Sequence, residues 1–292
     1  MFAMFQFEEL VERALKEDIG TGDLSTLIIP EDYWGEAKLF AKEKGIICGV
    51  EIVEMVFKKV DPRITVNLKV KDGDPISPGM LVMTINGPLA GILQAERTAL
   101  NFLQHLSGIS SITRRLVDLV ADFQVKVTDT RKTMPGMRSL QKYAVRVGGG
   151  SNHRFGLYDA VMLKDNHHAA VGGLPEAVRR VRTKIGHMVK IEVECETLEQ
   201  VEEAVNCGVD VIMLDNMSLE DMRTAVKLIN KRAIVEASGG IREENIRAVA
   251  ETGVDIISVG RLTHSVQAID FSLVVDETKP SIQKQINKGN KA

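Results

Sequence analysis

Cysteine is scarce in this 292-residue sequence, and its three cysteines, Cys48, Cys195 and Cys207, form no CxxC pair. Zinc fingers need paired cysteines or histidines at short spacings, and no such pattern is present. The few cysteines fit buried, reduced thiols and do not favour a disulfide framework. Long apolar runs are also missing, because none approaches the ~18 residues of a membrane span. Residues 1–10 contain two glutamates and no basic residue, unlike a secretory signal. We therefore expect a cytoplasmic protein without a membrane partner.

A general excess of basic residues is absent too, since 37 Lys and Arg face 40 Asp and Glu. The net charge of −3 provides no broad basic face for nucleic acid. Acidic residues are nevertheless missing from one interval, Arg131 to Arg154, where Tyr143 is the one aromatic residue. The cations of this interval are Arg131, Lys132, Arg138, Lys142, Arg146 and Arg154. We interpret it as a local site for a ligand with several negative charges.

The pattern of apolar residues divides the chain into two regions. The first mixes helices at 5–17 and 50–60 with strands at 37–41, 64–70 and 80–85, and ends in two helices, 89–106 and 109–120, interrupted at Ser107-Gly108. From residue 123, helical patterns separate apolar runs at 124–128, 159–163, 189–193, 210–214, 233–236 and 254–259. Alternating strands and helices predict a parallel sheet with right-handed crossovers. These six units are too few for an eight-stranded barrel, which leaves a smaller or incomplete barrel or an open sheet. Helix caps are predicted at Thr197, as a capping box with Gln200, and at Ser218. One more strand is predicted at 265–275.

Polar residues and glycines follow every predicted strand of the second region, in an order sorted by type. In strand order they are Arg131 and Lys132, then Lys164, Glu194, Asp215, Ser238-Gly239-Gly240, and Gly260-Arg261. Functional residues of parallel α/β folds gather at the carboxyl ends of the strands. Loops are polar in general, but general polarity does not explain cations first, single acids next and glycines last. Glu192 is expected to point to the opposite face of the sheet from Glu194, by strand alternation.

The acids and glycines among these residues suit a phosphorylated ligand. Backbone N–H groups beside the glycines of Ser238-Gly239-Gly240 and Gly260-Arg261 can bind phosphate, although plain turns would have the same composition. Glu194 and Asp215 follow successive strands and offer the oxygen ligands that Mg²⁺ prefers, but they could equally bind sugar hydroxyls or remain solvated. His153-Arg154 follows three glycines, and an arginine there can hold a carboxylate in bidentate fashion.

The stretch from Asp129 to His168, DTRKTMPGMRSLQKYAVRVGGGSNHRFGLYDAVMLKDNHH, resembles the quinolinate phosphoribosyltransferase family. The likeness extends through ERTALNFLQHLSGI, IEVECETLEQ, IMLDNM, EASGGI and ISVGR, and covers most of the chain. It implies a type II phosphoribosyltransferase of α/β class, with an N-terminal α+β sandwich at 1–110 and an incomplete α/β barrel at 111–275. Residues 276–292 would return to the first domain.

The resemblance also implies a reaction. Quinolinate and phosphoribosyl pyrophosphate would give nicotinate mononucleotide, pyrophosphate and CO₂ on the de novo route to NAD. Carried over by position, Arg131, His153, Arg154 and Lys164 would bind the quinolinate carboxylates, with Arg97 supplied by the partner subunit of a homodimer or larger homo-oligomer. Lys132, Glu194 and Asp215 would be the catalytic residues that meet the phosphoribosyl donor and its Mg²⁺. Ser238, Gly239, Gly240, Gly260 and Arg261 would hold the 5′-phosphate.

Three other functions remain open at this point. A lyase would use Lys164 as a Schiff-base nucleophile, but the other cations would then have no purpose. A non-catalytic anion sensor would keep the cationic and glycine loops without needing Glu194 and Asp215. A related phosphoribosyltransferase acting on another acid, such as nicotinate, would not need a clamp for two carboxylates.

Overall fold

The computed structural model describes residues 5–276 and 279–280 and divides them into two compact units. The first unit contains the described residues up to Ser111, the segment Ser139–Gly148 and the described residues from Val266 onward. The second unit contains Ile112–Arg138 and Gly149–Ser265.

Helices and strands are interspersed along the whole described chain. The first elements are α1 (Phe5–Ile19), a short 3-10 helix (Ser25–Ile28), β1 (Tyr33–Ala41), β2 (Gly45–Ile46), α2 (Val50–Val60), β3 (Thr65–Leu68), β4 (Pro75–Ile76), β5 (Leu81–Pro88) and α3 (Leu89–Leu119). The next are β6 (Lys126–Thr128), α4 (Arg138–Val147), β7 (Val161–Leu163), α5 (Asp165–Ala169), α6 (Leu174–Arg182), β8 (Ile191–Cys195), α7 (Leu198–Asn206) and β9 (Val211–Asp215). The last are α8 (Leu219–Ile229), β10 (Ile234–Ser238), α9 (Ile246–Ala250), β11 (Ile256–Ser258), α10 (Arg261–His264), β12 (Phe271–Val275) and β13 (Lys279–Pro280).

The first unit is organised around an antiparallel sheet in the order β12-β1-β5-β3, with β13 also paired to β1. Alternate residues of β1, namely Ala37, Leu39 and Ala41, are fully buried, as expected for a strand with one face on a core. Helix α2 begins where the Asp72 carboxylate accepts hydrogen bonds from the N–H groups of Gly49 and Val50, at 2.8 and 3.0 Å. A carboxylate at this end offsets the unpaired N–H groups and positive dipole of the first turn.

Helix α3 corrects the predicted interruption at Ser107-Gly108, because it continues through both residues to Leu119. The Ser107 hydroxyl accepts a hydrogen bond from the Cys48 N–H at 3.0 Å. A Cβ on Gly108 would lie 2.2 Å from the Gln267 carbonyl oxygen, so the glycine permits close packing here and does not end the helix. Neither α3 nor any other helix in the described ranges is long and apolar enough to cross a membrane.

The second unit confirms the six predicted strands, which form one parallel sheet in the order β6-β11-β10-β9-β8-β7. The end strands β6 and β7 do not pair with each other in the described structure, so the barrel is incomplete. Thr128 of β6 forms a single bridge with Ser151, which precedes β7 in the chain. The predicted helix caps are present as well. Thr197 and Gln200 form a capping box at α7, and the Ser218 hydroxyl accepts the Asp221 N–H at 3.1 Å at α8.

Two segments lie elsewhere than the expected domain boundaries put them. Ser139–Gly148 and β12 both belong to the first unit, although both fall within 111–275. Strand β12 pairs antiparallel with β1 over the register Ala37–Val275 to Ala41–Phe271. An apolar run predicts a strand but does not reveal which sheet it joins, because the pairing partner here is more than 200 residues away. The expected return of 276–292 lies mostly outside the described residues.

Buried thiols also match the expected reduced state. Cys48, Cys195 and Cys207 are all free, and the first two are fully buried. Burial raises the pKa of the Cys195 thiol to about 12, with the nearby carboxylates of Asp165, Glu203 and Glu194 adding to the effect. This thiol is therefore a packing group with little thiolate at neutral pH.

Candidate active site

The carboxyl ends of β6–β11 bring the predicted site residues of the second unit to the loops of one sheet edge, which we call the carboxyl edge. Asp215 and Ser238 are the last residues of β9 and β10 and stand directly opposite each other in the register. Glu194 lies near the end of β8, and Lys164 follows β7 directly. The short parallel strands therefore deliver residues from distant parts of the sequence to one edge.

Arg131 and Arg154 form the cationic part of this edge. The Arg154 guanidinium donates Nη1–H to the Ala160 carbonyl at 3.0 Å and Nη2–H to the Met162 sulfur at 3.5 Å. Its Nε is buried and has no hydrogen-bond partner within the described structure. Burial lowers the pKa of Arg154, as does the positive charge of Arg131, against the opposing effect of Glu192 and Asp159. A partly desolvated guanidinium beside a second cation favours binding of an anion.

The six cations of the interval from Arg131 to Arg154 do not act as one cluster. Arg138 is used internally, since its guanidinium donates to Thr133 Oγ1 at 3.0 Å and to the Phe155 carbonyl at 2.8 Å. Lys142 and Arg146 lie on α4 in the first unit, where Lys142 is fully buried. The run of cations in the sequence therefore overstates the positive charge at the carboxyl edge. Most of α4, in the middle of that run, belongs to the first unit.

Lys164 and Glu194 form an ion pair at the β7–β8 end of the carboxyl edge. The Lys164 Nζ lies 2.5 Å from Glu194 Oε2, and the two side chains are 49% and 19% exposed. Because a pair at this depth stays in contact with water, it contributes about 1 kcal/mol or less to folding. Both groups therefore remain able to exchange their mutual contact for a ligand.

Asp215 is held next to the first predicted phosphate loop through Asn216. The Asn216 Nδ2–H group donates to Asp215 Oδ2 at 2.9 Å, and the Asn216 backbone N–H donates to the Ser238 carbonyl at 3.0 Å. A Cβ on Gly239 would lie 2.2 Å from Asn216 Oδ1, and Gly239 has a φ of 93°. Only glycine accommodates both the close contact and the left-handed backbone. Gly240 follows with a φ of 62° and accepts Asn245 Nδ2–H at its carbonyl.

Lys132 lies against the second predicted phosphate loop. The Thr263 hydroxyl donates to the Lys132 carbonyl at 2.8 Å, and the Lys132 side chain passes so close to Gly260 that a Cβ there would be 2.9 Å from Lys132 Cδ. Arg261 begins α10 directly after Gly260 and is exposed. An ammonium group, an arginine and a glycine turn thus share this end of the carboxyl edge.

Arg97 is the one predicted substrate-binding residue outside the second unit. It lies on α3 within the first unit, where its side chain is exposed. Its predicted contribution from a partner subunit stays a prediction.

Sequence reasoning missed a cluster of buried titratable groups formed by His153, Glu192 and Glu236. One ligand-type atom from each lies within 4.8 Å of the others. The His153 Nε2 is 3.2 Å from Glu192 Oε2 and 3.5 Å from Glu236 Oε1. Burial raises the pKa of Glu236 to about 7, and the Glu192 carboxylate adds to the rise, while His153 and Ser258 oppose it.

The expected direction of Glu192 was wrong. Side chains alternate along a strand with a period of two residues, so Glu192 shares a face with Glu194 and cannot point away from it. The structure accordingly brings Glu192 to His153 and Glu194 to Lys164. Correct use of the alternation would have found Glu192, and Glu236 precedes Ser238 by the same spacing of two.

Two family models match the chain over consecutive ranges. The model described as quinolinate phosphoribosyl transferase, N-terminal domain, matches residues 23–107. The model of the C-terminal domain of the same family matches residues 109–274. Together they span most of both compact units.

Individual relatives agree with these models. The chain is 46% identical over 279 residues to a probable nicotinate-nucleotide pyrophosphorylase [carboxylating] of Bacillus subtilis, covering 96% of each protein. It is 40% identical to the chloroplastic nicotinate-nucleotide pyrophosphorylase [carboxylating] of Arabidopsis thaliana, covering 93% of this chain and 83% of the relative.

Solved structures show the same architecture. The crystal structure of NadC from Streptococcus pyogenes matches with a TM-score of 0.91 at 44% identity, over 96% of this chain and 98% of that one. The nicotinate-nucleotide pyrophosphorylase from Francisella tularensis matches with a TM-score of 0.91 at 39% identity, over 94% and 98%. The predicted fold class, an incomplete α/β barrel with an N-terminal α+β domain, is confirmed, and the chain belongs to the quinolinate phosphoribosyltransferase family.

Proposed function

We propose that this chain transfers the phosphoribosyl group of phosphoribosyl pyrophosphate to quinolinate, releasing pyrophosphate and CO₂ and forming nicotinate mononucleotide for NAD synthesis. The proposal is carried by the Arg154 guanidinium, which is partly desolvated and lies beside Arg131. The buried Nε of Arg154 has no hydrogen-bond partner within the described structure. A dicarboxylate would supply the missing acceptor and offset the charge of both arginines.

The acid-binding part of the site consists of Arg131, Arg154 and Lys164, with His153 at the same corner. Arg97 of the partner subunit would complete it in a homodimer or larger homo-oligomer. Guanidinium groups bind planar carboxylates through two parallel hydrogen bonds, which fixes the orientation of the pyridine ring. The ring nitrogen is thereby directed at the sugar, and such orientation can provide several kcal/mol of the barrier reduction.

The donor part of the site consists of Lys132 with the two glycine loops. Ser238, Gly239, Gly240, Gly260 and Arg261 would bind the 5′-phosphate through backbone N–H groups and the arginine. Lys132, which packs along Gly260, would stabilise the negative charge of the leaving pyrophosphate.

Glu194 and Asp215 fit Mg²⁺ by donor type. Both are half-buried carboxylates at the ends of neighbouring strands β8 and β9, and Mg²⁺ commonly takes one or two protein carboxylates and fills its other positions with water and substrate phosphate. When bound, the ion would neutralise charge on the pyrophosphate. The carboxylates themselves would stabilise the positive charge that develops on the ribose carbon.

Decarboxylation follows from the product of the first step. Once the ring nitrogen bonds to the ribose it is cationic, and it stabilises the carbanion left when the adjacent carboxylate departs as CO₂. The carbanion then takes a proton from water to give the product. This step needs placement more than a dedicated base, and the arginine clamp provides placement.

A compartment and a class of partners can also be proposed. Free, mostly buried thiols favour a reducing compartment such as the cytoplasm, and neither nucleic acid nor membrane is expected as a partner. The Schiff-base alternative is weak because Lys164 is 49% exposed and paired with Glu194, unlike the desolvated lysines that act as nucleophiles.

The test is an assay of the purified protein for nicotinate mononucleotide and CO₂, with Mg²⁺ and with a chelator. We expect both products in equal amounts, formed only with the metal. Nicotinate in place of quinolinate is the control substrate and should give little product. Turnover of nicotinate without CO₂ would identify a paralogue, and no turnover of either acid despite ligand binding would favour an anion sensor.

A further inference from the structure

The buried cluster behind Arg154 contains two carboxyl groups that the reaction above does not use. The side chains of His153, Glu192 and Glu236 are only 11%, 6% and 2% exposed. Two carboxylates this close in a dry environment repel each other strongly, so the arrangement requires a proton, a cation or a metal to neutralise part of the charge.

The hydrogen bonds of His153 determine which nitrogen carries its proton. The backbone N–H of Arg154 donates to His153 Nδ1 at 2.8 Å, and a backbone amide can only donate. Nδ1 must therefore present a lone pair, and the ring proton lies on Nε2. Nε2 lies 3.2 Å from Glu192 and 3.5 Å from Glu236, so its N–H is directed at the nearer Glu192 carboxylate and the ring is neutral.

Glu236 is the member of the pair that holds the additional proton. Its Oε1 is buried without a hydrogen-bond partner in the part of the chain that the structure describes. Such an oxygen is costly as part of a carboxylate and far less so as part of a neutral acid. The pKa of Glu236, raised to about 7 mainly by burial, agrees with this assignment.

The cluster leads directly to the arginine that contacts the substrate. Asp129, itself fully buried, accepts the His153 backbone N–H at 2.9 Å and Asn152 Nδ2–H at 2.6 Å. The imidazole then fixes the Arg154 backbone through Nδ1, and the charge of Glu192 favours the Arg154 cation. Loss of the ring orientation would release the backbone from which the guanidinium extends.

We infer that Glu192 and Glu236 are positioning residues that hold the His153 ring with its hydrogen on Nε2, so that its Nδ1 fixes Arg154. The inference rests on the proposed function for the role of Arg154. It assigns His153 to the support of the carboxylate clamp, since both ring nitrogens are engaged within the protein.

A divalent metal at this cluster is the competing explanation, because imidazole and two carboxylates are common zinc ligands. A metal on Nε2 would need a lone pair there and would move the ring proton to Nδ1. Nδ1 already accepts the Arg154 N–H at 2.8 Å, so the two arrangements exclude each other.

The first test is ¹⁵N NMR of the imidazole of the full-length protein at pH 6, with the signal assigned by its loss in His153→Asn. We expect the neutral form with the proton on Nε2. An imidazolium or an Nδ1–H tautomer overturns the inference, as does a stoichiometric transition metal found by elemental analysis. These readouts do not depend on turnover, so they remain decisive even if the proposed function fails.

The second test compares isosteric variants at pH 6. Glu192→Gln removes the acceptor of the Nε2 proton and should raise the KM for quinolinate roughly 10- to 100-fold, with the KM for phosphoribosyl pyrophosphate nearly constant. Glu236→Gln mimics the protonated acid and should have a much smaller effect on the same KM. Exposed Glu220→Gln is the matched control. Equal effects of the two variants, or a rise in both KM values, contradict the inference.

Discussion

Two pairs of carboxyl groups in the second unit differ in depth and therefore in chemistry. The rim pair, Glu194 and Asp215, is half-buried at the carboxyl edge, whereas the buried pair, Glu192 and Glu236, is nearly inaccessible. Glu192 and Glu194 are two residues apart on one face of β8. Glu192 contacts His153, whereas Glu194 contacts Lys164. A displacement of about 7 Å along a strand thus separates a carboxylate that can bind ligands from one that is buried against a histidine.

The largest expected effect concerns Arg154, on which the charge of Glu192 acts. Arg154→Ala should lower kcat/KM for quinolinate about 100-fold or more, because a charge-assisted bidentate contact is lost. Binding of phosphoribosyl pyrophosphate, measured by calorimetry, should persist. Arg154→Lys keeps the charge without the two parallel hydrogen bonds and should recover only part of the loss. Unchanged quinolinate kinetics in the alanine variant would refute the role.

The second prediction compares the pairs by stability. Glu192→Ala leaves the buried His153 Nε2–H without its nearer acceptor and should lower the free energy of unfolding by about 2–3 kcal/mol. Glu194→Ala breaks only a solvent-accessible ion pair and should cost less than about 1 kcal/mol. Urea denaturation measures both. Equal losses would mean that depth does not distinguish the pairs.

The third prediction uses the raised pKa of Glu236, which faces Glu192, His153 and the Ser258 hydroxyl. The folded protein holds this proton more tightly than the unfolded chain, so the associated stability is present below pH 4.5 and is lost as the pH rises through about 7. The loss should be about 3 kcal/mol across that window, because the pKa rises from 4.5 to about 7. Glu236→Gln, which cannot ionise, should flatten this part of the Tm-versus-pH profile. An unaltered profile would show that another group is responsible.

The smallest expected effect concerns the rim pair. Asp215→Asn keeps the shape of the side chain but removes one negative charge, so the Mg²⁺ concentration for half-maximal turnover should rise about tenfold, or about 1.4 kcal/mol. Glu236→Gln lies in the buried pair and should leave that concentration nearly constant. If both variants shift the Mg²⁺ titration equally, the separation of the two pairs by function fails.

Local sequence patterns predicted much of the architecture, because strands and helix caps depend on residues that are close together in the sequence. The six parallel strands, the capping box at Thr197 and the cap at Ser218 are all confirmed. The interruption at Ser107-Gly108 was wrong, since glycine can mark either a break or a close contact, and the contact in this case is with Gln267. That choice depends on a segment far away in the sequence, which no local pattern contains.

The candidate site divides in the same way. The order of cations, acids and glycines at strand ends is a property of the sequence, as is the family resemblance that the comparisons confirm. The partition of the cations is a property of the fold, because α4 carries Lys142 and Arg146 into the first unit.

The sequence by itself determined the family, the parallel strands and the residues at the carboxyl edge. Strand periodicity and loop composition depend only on residues that are close together in the sequence. Only the tertiary structure decided which sheet β12 joins and which glutamates are buried around His153. Pairing and protonation depend on neighbours brought together from distant parts of the chain. The location of a proton on Glu236 or on His153 Nε2 is set by burial and by nearby donors, and these exist only after folding.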